Sequence, residues 1–483
     1  MRILENLEPR EVFYYFEEIC NIPHGSGNIE AISDYLKDFA EKRGLFCIQD
    51  ELKNIIIVKE ATPGYENEEP VMLQGHMDMV AVKKPDSTID MTREGLRLAI
   101  DGDKLYAKDT SLGGDDGIAV AYALALLDAK DICHPRLEVV ITVDEEVGMD
   151  GARGIDVSML KSKRLMNLDS EEEGIFWTSC AGGARVKCCL PLQKDEISGT
   201  AYLVRIKGLQ GGHSGAEIHK ERGNSNCLMG RLLWELCNTC KPALVKLEGG
   251  LADNAIPRET EALLITAPGE EALFKETVTK VETALKQELA VKDPGVQIEI
   301  LPQSKLVNVP AVCDGMLRKI AALFISLPGG VQAMSADIAG LVETSLNLGI
   351  VSMDEKLHME FSVRSSLECA KEHLIERLKA LMELSGGSVE VSGDYPGWAY
   401  RQDSPLREKM VRVYERMYGK KPEIAAIHAG LECGIISAKV ENLDCISLGP
   451  DMKDIHTTEE TLSISSTKRV WEYLLAVLKE KEQ

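Results

Sequence analysis

Three short apolar runs in the first third of the chain end abruptly in residues that carry charge. They are Val71-Met-Leu-Gln-Gly-His76-Met-Asp78, Leu137-Glu-Val-Val-Ile-Thr-Val143-Asp-Glu145-Glu146 and Arg164-Leu-Met-Asn-Leu168-Asp169. Runs this short fit strands covered on both faces better than buried helices. Between the first two lies Gly117 to Lys130, GIAVAYALALLDAK, which is long enough for a helix and apolar on most sides. Strands alternating with helices indicate an α/β layer with a largely parallel sheet. Ligands bind such sheets beyond the carboxyl ends of the strands, where these charged residues stand.

The same reading extends along the chain. Pro9 to Cys20 and Asn28 to Arg43 have helical periodicity, the second stopped by Gly44, and Ile55 to Val58 reads as a strand. From about Cys188 the style changes. Longer two-sided strands (Ala201 to Lys207, Glu261 to Thr266, Val296 to Leu301, His358 to Val363) alternate with amphipathic helices (Asn224 to Cys240, Glu270 to Leu289, Ala370 to Leu384). After Gly393-Asp-Tyr-Pro-Gly-Trp398 the first style returns, with a helix Ser404 to Tyr418, strands Ile424 to Ile427 and Cys445 to Leu448, and a helix Ser466 to Lys481. The expected architecture is a mostly parallel α/β domain, residues 1–186 and 395–483, interrupted by an inserted α+β domain at 187–394.

The net charge is −23, and no basic tract offsets it. Binding to a phosphate backbone depends on Lys and Arg, so a nucleic-acid partner is not expected. No apolar run reaches the length that spans a bilayer. Acidic residues stand in MRILENLEPREVFYYFEEIC where an export signal would be apolar, so the expected location is the cytoplasm. The 13 cysteines form no framework and read as reduced thiols. Cys237-Asn-Thr-Cys240 and Cys188-Cys189 are read as buried and inert.

The strand-end clusters suit cations. His76 and Asp78 are two apart on an extended chain and point the same way, so the carboxylate can hold the imidazole in one tautomer. Alone, the pair equally describes a surface strand end. Lys108-Asp-Thr-Ser-Leu-Gly-Gly-Asp115-Asp116-Gly117 leads into the apolar helix, and Asp116 suits its N-cap. A phosphate loop would need Lys-Ser/Thr there, and these carboxylates would repel the anion. Glu145 and Glu146 repel each other in a dry site unless they are solvated or a cation neutralises them. With one on a metal, the other is placed to act as a general base. Asp169 closes the third strand. His456, in Ser447-Leu-Gly-Pro-Asp-Met-Lys-Asp-Ile-His456-Thr-Thr-Glu459, is better explained by structure than by ligation when taken alone, and gains force only from the set. Together, two His and three carboxylates make a mixed N/O set for zinc, manganese or cobalt rather than the all-oxygen set of calcium. They serve two ions if one carboxylate bridges.

In order, GHMDMV, SLGGDDG, DEEVG, NLDSE and a late SLGP…IH resemble the M20 family of dinuclear zinc peptidases and deacylases, closest to its Xaa-His dipeptidase branch. The resemblance continues through Gly211-Gly-His213-Ser-Gly-Ala-Glu-Ile-His219, Asp253-Asn254-Ala-Ile-Pro-Arg258, Glu343-Thr-Ser-Leu-Asn-Leu-Gly349 and Ile427-His-Ala-Gly430-Leu-Glu432-Cys-Gly434. It implies two divalent ions, zinc first, with manganese and cobalt as alternatives. His76 and Asp169 would hold one, Glu146 and His456 the other, with Asp115 as the bridge. It makes Glu145 the general base and Asp78 the residue that orients His76, and it implies a cis peptide at Asp115–Asp116. His213 becomes a donor to the developing oxyanion, with His219 as a less central neighbour. Arg364, ending a strand, can fork onto the substrate's C-terminal carboxylate. Asn254 and the backbone around Gly430 are further contacts, and Glu432 is an acceptor for the free amine. The inserted domain becomes a lid and a candidate homodimer surface.

The implied activity is hydrolysis of small dipeptides, Xaa-His among them. Two rivals stand beside it. One is another M20 activity, an N-acyl amino acid deacylase or a longer-peptide aminopeptidase. The other is a non-catalytic binding protein on the same scaffold, against which the intact Glu145 and full ligand set weigh.

Overall fold

The strands Val71–His76 and Leu137–Thr142 are buried at every position, as their unbroken apolar runs require. They lie side by side in an eight-stranded sheet of a computed structural model that describes residues 2–481. The strand order is Phe46–Gln49, Ile55–Lys59, Leu137–Thr142, Val71–His76, Arg164–Asn167, Asp444–Ser447, Ile175–Cys180, Glu423–Ile427. The central four strands run parallel. Antiparallel pairings flank them, with Ile55–Lys59 on one side and Ile175–Cys180 on the other.

Helix Gly114–Asp128 is buried along nearly its whole length, which explains why it is apolar all round. Its regular turns begin only after Asp115 and Asp116, whose backbone angles are non-helical. The peptide between those two residues is cis. Helix Arg10–Cys20 packs on it through Phe16 and Ile19, which lie closest at Gly117. Helix Glu30–Lys42 ends before a left-handed Gly44, as the sequence predicts.

Two compact units divide the chain: Met1–Ser179 with Tyr400–Ala426 and Leu431–Gln483, and Cys180–Ala399 with Ile427–Gly430. The change of sequence style had placed the joints at 186/187 and 394/395. Nothing in the sequence marked the short piece Ile427–Gly430. The second unit is built on a ten-stranded sheet whose recorded pairings are antiparallel. Helices Ser225–Thr239, Glu271–Glu288, Asp314–Ser326 and Glu368–Ser385 contribute to one apolar core with it. Ion pairs such as Lys187–Glu360 and Lys207–Glu299 lie between neighbouring strands, the half-solvated pattern of an antiparallel layer.

The thiol reading needs one correction. Cys188, Cys237 and Cys240 are buried, but strand alternation turns Cys189 outward, where its Sγ lies 3.4 Å from His358 Nδ1. Among the described residues no helix is long and apolar enough to cross a membrane.

Candidate metal centre

Strand register gathers the site. Parallel pairing sets His76 opposite Thr142 and Gln74 opposite Asn167. Residues just beyond those strand ends, Glu145, Glu146 and Asp169, therefore emerge at the same edge as His76. Asp115 arrives from the start of helix Gly114–Asp128, and His456 from the segment after strand Asp444–Ser447. Gly75 lets the Asp115 segment approach, since a Cβ there would stand 2.3 Å from Asp116 Oδ2.

Asp115 faces a histidine with each oxygen. Its Oδ1 lies 3.2 Å from His76 Nε2 and its Oδ2 3.0 Å from His456 Nε2. Asp169 Oδ1 is 3.8 Å from His76 Nε2, and Glu146 Oε1 is 3.0 Å from His456 Nε2. The five residues thus fall into two groups that share Asp115. Asp116 also comes near His76 and Asp169. It is fully buried, however, and its Oδ2 accepts the His76 backbone N–H at 3.2 Å, so it braces the strand end. The N-cap role expected for Asp116 is not observed, because the cap position is Gly113 and the Asp116 carboxylate accepts the His76 N–H instead.

Asp78 differs in detail from expectation. His76 Nδ1 is nearer to the Asp78 backbone oxygen, at 3.0 Å, than to its carboxylate, at 3.5 Å. That carboxylate also accepts Ser26 Oγ–H at 2.8 Å and the Glu145 backbone N–H at 3.1 Å, so it ties the histidine strand to the glutamate pair.

The electrostatics are those of a site built for positive charge. Asp115 and Glu146 push His456 up to about 10. His76 is raised well above its ordinary value although burial opposes it, because Asp115 and Asp78 stabilise its protonated form. Burial, with Asp115 and Glu145 adding, raises Asp169. Burial also lifts Glu145 to about 7, with Glu146 and Asp115 adding to it. Each of these shifts marks a place where added positive charge relieves crowded carboxylates, and two imidazoles with carboxylate oxygens are a donor set suited to zinc-like ions.

Glu432 is not open to a substrate amine. It is fully buried and accepts Thr142 Oγ1–H at 2.6 Å and a bond from Gln74 Nε2. Burial, with Glu145 adding, raises it to about 8.

The second unit holds a polar cluster of its own, centred on Arg364. Around Gly215, a Cβ would meet the His428 backbone oxygen at 2.5 Å, His213 Cε1 at 3.0 Å and Arg364 Cζ at 3.2 Å. His213 Nδ1 accepts the Ala216 N–H at 3.0 Å, which leaves the proton on Nε2, and burial and Arg364 lower its pKa. It is therefore a neutral donor. Arg364 is 9% exposed, donates to the Tyr395 hydroxyl at 3.3 Å and has an unpartnered Nε. A Cβ on Gly430 would strike the Tyr395 ring at 2.8 Å. The Asn254 carbonyl accepts the Ser214 N–H at 2.8 Å, which steadies the turn after His213, while its side chain is exposed. His219 is exposed in the 3-10 turn Ile218–Lys220, and none of these bonds reaches it. His428 was not singled out from the sequence. Burial and Arg364 lower it to about 3, and its Nε2 lies 2.7 Å from Ser345 Oγ. Its only sequence signal was its place in the Ile427 to Gly434 phrase.

A parallel sheet core that gathers two histidines and clustered carboxylates at its strand ends makes a candidate metal site, and comparison with known proteins places the chain among metal-dependent peptidases. The family model for peptidase family M20/M25/M40 matches residues 72–480, and the chain belongs to that family. It is 36% identical over 485 aligned residues to the cytosol non-specific dipeptidase of Escherichia coli, covering 99% of both chains. It superposes on the aminoacylhistidine dipeptidase of Vibrio alginolyticus with a TM-score of 0.92 at 35% identity, again over 99% of each chain. A tripeptidase from Staphylococcus aureus shares the fold at 15% identity, with a TM-score of 0.56 over 98% of each chain.

Proposed function

We propose that this chain is a cytoplasmic dipeptidase that works with two divalent cations, zinc before manganese or cobalt. The observation that carries the reading is Asp115, whose two oxygens face His76 and His456. His76 and Asp169 would hold one ion and Glu146 and His456 the other, with Asp115 shared between the two groups. When bound, such ions acidify water and polarise the substrate carbonyl.

The chain's own residues do the rest. Glu145 takes the proton of the attacking water and returns it to the amine nitrogen as the peptide bond breaks. Asp78 holds Glu145 through its backbone and His76 through its ring. His213 Nε2–H donates to the developing oxyanion, and Arg364 with its free Nε receives the C-terminal carboxylate. Asn254 supports the first by accepting the Ser214 N–H in the His213 turn, and Gly430, without a Cβ, leaves room for the Tyr395 ring that Arg364 touches. The names of the two full-length relatives support a dipeptide substrate, Xaa-His and others. Thirteen free thiols suit the cytoplasm, and a homodimer through the second unit belongs to the same reading.

The test is a substrate panel on metal-loaded enzyme. Ala-His, β-alanyl-histidine and Gly-Gly should be cleaved, N-acetyl amino acids should not, and a chelator should abolish turnover. Hydrolysis of the N-acetyl compounds alone would make the chain a deacylase.

A further inference from the structure

We propose that Glu460 is a positioning residue: it locks the segment of Asp115 to the segment of His456 and so sets the geometry of the cation site shared by Asp115, Glu146 and His456. The inference rests on the dinuclear reading above.

Glu460 is 3% exposed, and its carboxylate accepts three consecutive backbone donors. Oε2 takes the Leu112 N–H at 2.7 Å and the Gly113 N–H at 3.1 Å, and Oε1 takes the Gly114 N–H at 2.8 Å. The three N–H groups converge because Gly113 is left-handed, with φ 67°, and the helix has not yet become regular. Successive N–H groups curved this way form a nest for an anion. The Gly114 N–H is also a helix-start donor with no acceptor inside the helix, and Glu460 supplies one. The anion here comes from a distant part of the sequence. Glu460 follows His456 by four residues, and its own N–H bonds back to Thr457 O at 3.4 Å.

The consequence is asymmetric. His76 ends a strand paired on both sides, and Asp169 follows closely on another strand of the same sheet. Their placement comes from the sheet. Asp115 and His456 lie outside strands, and His456 holds a left-handed φ of 62°, costly for a residue with a side chain. A carboxylate that joins both segments over-determines that backbone and keeps Asp115 Oδ2 and His456 Nε2 at 3.0 Å.

Glu460→Gln tests this, because it keeps the size while turning an N–H2 toward backbone donors. Far-UV circular dichroism first establishes that the variant is folded, and Glu460→Asp serves as a milder second variant. Metal-free protein is titrated with cobalt, following heat and the visible spectrum of each equivalent. Wild type should bind two equivalents. In Glu460→Gln the equivalent held by Glu146 and His456 should weaken about 10- to 100-fold, the range for partners that orient metal ligands, while the other, which shares only Asp115 and keeps His76 and Asp169 on the sheet, weakens less. Its cobalt spectrum should shift, and kcat should fall with KM nearly constant. Glu460→Asp should lie between. Unchanged affinities, or equal losses at both equivalents, overturn the proposal. Wild type that takes up fewer than two equivalents overturns the dinuclear reading itself, a result visible before any variant is made.

Discussion

Glu145 stands beside Glu146, and their neighbours separate two roles for the pair. Asp144, with φ 53°, turns the chain just after the strand and accepts the Gly27 N–H at 2.7 Å. Asp78 then accepts the Glu145 N–H, while Glu146 Oε1 lies 3.0 Å from His456. Glu146 is thereby paired with His456, while Glu145, which also comes near His76, has a carboxylate that burial lifts to about 7. A carboxylate placed beside the cation group, and not itself paired with His456, is positioned to take a proton from water and return it. Glu145→Gln should therefore lower kcat by about 10² to 10⁴-fold while both cations stay bound. Parallel assays of turnover and metal content decide it, and a variant within a few-fold of wild type rules out the proton role. Much at this scale was legible in the sequence, because crowded carboxylates at strand ends have few structural explanations. Glu432 was not: its burial depends on Gln74 and Thr142, which are remote in sequence.

At the scale of elements, periodicity found the segments that bury a continuous face, such as Leu137–Thr142 and Glu271–Glu288. It did not find the hairpin Leu98–Asp101 and Lys104–Ala107, whose mixed exposure gives a weak pattern, or the eight-residue helix Glu432–Lys439. Non-local pairing defines such pieces more than composition does. Helix crossings also hide from pattern reading. Gly230, in the middle of helix Ser225–Thr239, sits so close to helix Asp314–Ser326 that a Cβ would lie 2.4 Å from Phe324 Cβ. Sequence alone shows only a helix-weakening glycine. Gly230→Val should cost about 1–3 kcal/mol by overpacking. Urea denaturation measures it, and a variant as stable as wild type would mean that the crossing is looser than described.

For the whole molecule, the change of style near Cys188 and its reversal near Trp398 were legible because parallel and antiparallel layers place apolar residues differently. The exact joints were not, since the chain crosses the first within continuous strand sequence, Ile175–Cys180 into Gly182–Pro191. Each unit has its own apolar core, and every proposed metal ligand lies in the first. A ligand that binds only the folded state stabilises what it binds, by about 2.7 kcal/mol at a hundredfold excess over Kd. Removing the cations should thus lower the unfolding temperature of the first unit and leave that of the second nearly unchanged. Calorimetry with and without chelator reads the shift. Hydrogen exchange resolved by peptide assigns it, with Leu137–Thr142 reporting on the first unit and Lys356–Ser365 on the second. An equal shift in both peptides would mean that the stabilisation is not confined to the unit that carries His76, Asp115 and His456.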